Sequence, residues 1–111
     1  MILRVTLAAL GAAFLVGCGP NCQSTCERIY DPGECGIGVP GEAWQRSVAR
    51  CVSNCDYALD HPGEVGDYNP FEANTSGASI ELTNEKQAAM WMDCVDQTAC
   101  EDMRHGICAP I

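Results

Sequence analysis

The sequence predicts an all-α protein: a small disulfide-stapled domain of three helices, with a long loop between the second and third. Three observations predict it. Cysteines stand four apart twice, as Cys22/Cys26 and Cys51/Cys55, and residues at that spacing share one face of a helix. Apolar side chains recur at helical period over 42–58 and again over 85–105. The chain has 111 residues, nine of them cysteine, a length that allows one small domain and a cysteine content that suits a disulfide scaffold.

The N-terminal segment stands apart from that domain. It reads MILRVTLAALGAAFLVGC, with Arg4 ahead of an apolar run from Val5 to Val16. That run is short of the roughly 20 residues a membrane span needs and has the length of a signal-peptide core. It ends in Leu15-Val16-Gly17-Cys18, which resembles the lipobox of bacterial lipoproteins. The resemblance covers residues 1–18 and implies cleavage before Cys18 and acylation of that cysteine. Residues 1–17 are then a signal peptide, 18–21 the anchor and tether, and 22–111 the cysteine-rich domain. Removing Cys18 from nine leaves an even set of eight, as paired cysteines require.

The resemblance also bears on location. Several acyl chains hold a protein on a membrane far more firmly than one. Gly19, Pro20 and Asn21 alone separate the anchor from Cys22, a reach of about 10 Å when extended. By similarity to the enteric sorting rule, Gly19 in place of Asp after the anchor implies the outer membrane of the cell envelope.

Residues 19–111 carry 5 basic and 15 acidic side chains, a net of −10. That charge excludes nucleic acid as a natural partner, since phosphate binding needs basic patches. It reads first as a solvated surface that repels anionic headgroups. The functional alternative is an acidic patch that recruits a basic partner or divalent cations.

Helix one is predicted over Cys22–Tyr30, with Asn21 as N-cap and Asp31-Pro32-Gly33 as the stop. Helix two, over 42–58, carries Trp44, Val48, Cys51, Val52, Cys55 and Leu59 as its apolar stripe. Equal cysteine spacings give equal rungs of about 6 Å along both helices. Packed helices bring facing Cα atoms within disulfide range. The antiparallel arrangement pairs Cys22–Cys55 and Cys26–Cys51, and is preferred because consecutive helices usually pack that way. The connector from Asp31 to Gly41 is long enough to permit the parallel one.

Twin C-x-x-x-C hairpins also resemble the small chaperones of the mitochondrial intermembrane space. The match covers the two cysteine pairs alone, and 24 residues intervene where that family favours fewer. It implies a similar structural solution and no shared function.

Helix three is predicted over 85–105, with Asn84 and Gln87 at capping-box spacing and Gly106 as the stop. Its buried stripe is Ala88, Trp91, Met92, Val95, Ala99 and Met103. Cys94 and Cys100 are six apart and face different flanks. A chain returning from Gly106 reaches the level of Cys100 sooner than that of Cys94, which favours Cys100–Cys108 and leaves Cys35–Cys94. The expected core is Trp44, Trp91, Val48, Val52 and Val95. Four disulfides would compensate for so modest a core.

Chemical motifs are sparse, and no cofactor is expected. Dithiol catalysis wants C-x-x-C and haem attachment wants C-x-x-C-H; neither spacing occurs. His61 and His105 stand far apart for zinc. Asp60, Glu64 and Asp67 offer oxygen ligands for calcium on a Gly-containing loop. The EF-hand register fails, with Pro62 at position three and Phe71 at twelve counted from Asp60. No G-x-S-x-G is present, and Ser47, His61 and Asp56 make only an arbitrary triad. Within the long loop of residues 60–80, Tyr68 and Phe71 are the candidate contact residues. The expectation is a non-enzymatic envelope module that makes structural or protein contacts, with a small calcium-binding module as the alternative and an enzyme, for which no motif speaks, as the third.

Overall fold

The computed structural model describes residues 19–76 and 80–109, and Cys18 and its leader lie outside them. The described chain is helical: α1 spans Cys22–Tyr30, α2 Trp44–Leu59, α3 Glu85–Gln97 and a short α4 Cys100–Arg104. Helices α1, α2 and α3 pack on one another around the buried cysteines. No helix among the described residues is long and apolar enough to cross a membrane.

Local chemistry sets the limits of α1. Asn21 Oδ1 accepts from the Ser24 N–H at 2.8 Å, while Ser24 Oγ accepts from the Asn21 N–H at 3.1 Å. This reciprocal capping box satisfies two otherwise orphaned donors. Asp31 ends the helix in an extended conformation, as the residue before a proline is sterically driven to do. Its carboxylate then accepts from the Gly33 N–H at 2.8 Å.

Cys22 bonds to Cys55 and Cys26 to Cys51, with Cα atoms 5.8 and 5.9 Å apart. These are the two rungs of the antiparallel register, and they fix how α2 is rotated about its own axis. Its buried residues are Ser47, Val48, Cys51, Cys55 and Ala58. Relative to the stripe read from sequence, this face is turned by roughly 40° at about 100° per residue. Ser47 and Ala58 turn inward, Leu59 turns out to 40% exposure, and Trp44 and Val52 stop half-buried. The expected full burial of Trp44 and Val52 is therefore corrected: the cysteines, not the largest apolar side chains, choose which line of α2 meets α1.

Helix α2 begins at Trp44 rather than Glu42. Glu42 stays outside it, where its carboxylate accepts from Ser47 Oγ at 2.6 Å and pairs with Arg50 at 2.9 Å.

The third helix is shorter than its periodicity suggests. Asn84 Oδ1 accepts from the Lys86 and Gln87 N–H groups at 3.1 and 3.0 Å. The Gln87 side chain accepts from the Thr83 N–H at 2.9 Å instead of closing a box on Asn84. At the other end Thr98 and Ala99 are extended, so one helix becomes α3 and α4. Arg28 of α1 makes the break favourable, because its guanidinium donates to the Val95 and Thr98 carbonyls that helix continuation would otherwise serve.

That break redistributes the last two disulfides. Cys35 is bonded to Cys100 and Cys94 to Cys108, in place of the expected Cys35–Cys94 and Cys100–Cys108. As one straight rod, residues 85–105 would hold Cys94 beyond reach of the returning tail. With the axis interrupted at Thr98-Ala99, Cys100 comes to the connector after α1 and the tail folds back onto α3. Gly106 makes that reversal at φ 101°, and a Cβ there would stand 2.6 Å from the Asn74 carbonyl oxygen. Only glycine fits so close a backbone approach.

The long loop is strapped to the helices rather than free. The Glu85 N–H donates to His61 O at 2.8 Å, and Asn84 Nδ2 to Glu64 O at 2.9 Å. Cys108 N–H donates to Pro70 O at 2.7 Å, and Asn74 N–H to Gly106 O at 3.0 Å. Trp91 of α3 is wholly buried, and among the described residues its indole N–H has no hydrogen-bond partner.

Candidate functional site: an open groove between two helices

Turning the cysteine seam of α2 toward α1 leaves the rest of its apolar stripe to one side. There, Trp44, Val48, Ala49 and Val52 line an open groove of about 700 Å³. Gln23 and Glu27 of α1 complete one wall, and Gln45, Ser53 and Asp56 complete the other. No residue of α3 or α4 lines it, so the third helix covers the opposite side of the hairpin.

Charge on the groove is one-sided. Among the described residues its ionisable lining groups are Glu27 and Asp56, both carboxylates. Gln23 Nε2 donates to Glu27 Oε2 at 2.8 Å and steadies that carboxylate at the rim. Arg50 of α2 pairs directly with Glu42, and the exposed Arg46 adds the smallest of the charges that favour that carboxylate. Arg50, followed by the Ser47 hydroxyl, holds the Glu42 carboxyl below its ordinary value. Tyr30, also hydrogen-bonded to Arg50, has its phenol pushed up by burial.

The residues singled out in the sequence are scattered. Tyr68 is half-buried against the core, and burial raises its phenol well above the ordinary value. Phe71 is 44% exposed. Tyr68 therefore helps fasten the loop while Phe71 faces solvent. Asp60 caps the end of α2 through its backbone, Glu64 pairs with Lys86 at 3.2 Å, and Asp67 is exposed. Among the described residues no three His, Cys, Asp or Glu side chains are grouped to hold a metal. His61 sits against Tyr57, ring centroids 4.1 Å apart, and His105 lies on α4's C-cap beside Glu101.

The groove escaped the sequence reading, although its signal is there. Plotted at about 100° per residue, Trp44, Val48, Val52 and Leu59 centre roughly 45° away from Cys51 and Cys55. Cysteines that must face α1 then force that apolar flank aside. Comparison with known protein families, characterised proteins and solved structures finds no match to this chain.

Proposed function

We propose that this chain is a lipid-anchored, non-enzymatic interaction module of the bacterial cell envelope, held at the outer membrane through Cys18. The lipobox supports the anchor, and the even number of remaining cysteines, all paired, supports an oxidising compartment. One observation carries the interaction reading: a tryptophan left half-buried in an open apolar groove on a domain otherwise cross-linked tight. Large aromatics in such settings dominate protein contacts.

The anchor is tested by intact mass of the membrane-extracted protein, which should show cleavage before Cys18 and added acyl chains. The contact is tested by a photo-crosslinking residue at Ser53, on the groove wall, in intact envelopes. A discrete adduct that Trp44→Glu abolishes is expected. A Ser53 probe that yields no adduct would overturn the interaction reading.

A further inference from the structure

We infer that the groove between α1 and α2 takes a basic amphipathic helix from a partner protein, an inference that rests on the interaction reading above. Shape comes first. From Trp44 to Asp56 the groove runs along twelve residues of α2, about 18 Å. A partner helix of about twelve residues spans the same length. Apolar side chains at i, i+4 and i+8 of such a helix match the step of Trp44, Val48 and Val52.

Charge selects the sign of the partner. Glu27 and Asp56 stand on the two walls near the apolar floor, and among the described residues no cation lines the groove. Elsewhere three bases of the domain are engaged by the fold itself. Arg28 holds the carbonyls that end α3, Lys86 pairs with Glu64, and Arg104 donates to Cys35 O at 2.7 Å. The acidic excess is therefore displayed outward, and complementary potentials raise association rate and select partners. A second copy fits poorly, because two domains of net −10 would face carboxylate against carboxylate. Anionic lipid is repelled for the same reason.

The test uses the full, oxidised chain in nonionic detergent and fluorescently labelled peptides of about 14 residues, near 21 Å as helices. One is an amphipathic Leu/Lys helix, one its Leu/Glu counterpart, and one a scrambled Leu/Lys sequence. Anisotropy should report binding of the first alone, weakening as salt rises. Trp44→Ala should weaken it about tenfold or more. Should that variant fold poorly by circular dichroism, Glu27→Lys with Asp56→Lys provides a surface alternative that should abolish the preference for Lys over Glu. Equal binding of the Leu/Glu or scrambled peptide would overturn the inference. So would sedimentation of the free chain as a dimer that Trp44→Ala dissociates, since a second copy would then fill the groove. A Ser53 adduct in envelopes without Leu/Lys binding would sink this inference and leave the interaction reading standing. Leu/Lys binding without the adduct would overturn the interaction reading, and the inferred partner with it, while leaving the groove's preference for a basic helix established.

Discussion

Nη2 of Arg28 lies 2.6 Å from the carbonyl oxygen of Thr98, 70 residues further along the chain. With Nε on the Val95 carbonyl at 2.9 Å, one guanidinium closes the end of α3. It thereby determines where the third helix stops and which cysteines can meet.

Arg28→Ala leaves two carbonyls at the end of α3 without their charged donor. Hydrogen bonds from charged groups contribute about 1.5–3 kcal/mol each at most, and Arg28 is half-buried. A loss of about 2 kcal/mol is expected in urea denaturation of the oxidised protein. Arg28→Lys should recover part of that, since a single ammonium cannot reproduce the two-pronged fork.

Disulfide mapping distinguishes the structure from the straight-helix expectation. Cleavage before Asp96 and after Arg104 separates Cys94, Cys100 and Cys108 into different peptides. Unreduced digests should contain Cys35 joined to Cys100, and Cys94 joined to Cys108. The first closes a separation of 65 residues and the second one of 14, so loop entropy assigns them about 4 and 3 kcal/mol respectively. Replacing both partners by Ala should lower stability in that order. Full reduction should remove most of the far-ultraviolet helical signal.

The two tryptophans should report opposite environments. Trp91 is wholly buried, whereas Trp44 is half-exposed in the groove. Trp91→Phe should leave a red-shifted emission that acrylamide quenches readily. Trp44→Phe should leave a blue-shifted emission that resists quenching until the disulfides are reduced.

Stability should fall at both extremes of pH. Arg50 and Ser47 hold Glu42 below its ordinary value of 4.5, so its contribution is present above 4.5 and lost as pH falls through the lowered folded value. Glu42→Gln should flatten the acid side of a stability profile. Burial raises the Tyr30 and Tyr68 phenols above the ordinary 10.0. Their contribution is intact below 10.0 and is lost as pH rises through the raised folded values. Tyr68→Phe should reduce the alkaline loss of helical ellipticity.

Much of the hairpin was legible because its determinants are local. Asn21 caps α1, Asp31-Pro32 ends it, and two matched cysteine spacings define a register. The junction after Gln97 was not legible, because Arg28 acts there from the other end of the chain. Ala99 and Met103 continue the apolar period of α3 across a break that period alone does not register. The groove lay between these cases. Trp44, Val48 and Val52 are legible as part of an apolar stripe, but the angular offset between that stripe and Cys51/Cys55 decides that part of it stays open.

The spans Cys22–Cys55, Cys35–Cys100 and Cys94–Cys108 overlap end to end. Any one peptide bond between Cys22 and Cys108 is therefore bracketed by at least one sulfur link. A single nick there adds a water molecule's mass to the protein but liberates no fragment. The two parts of a chain cut once would stay joined until a reductant opened the bracketing sulfur link.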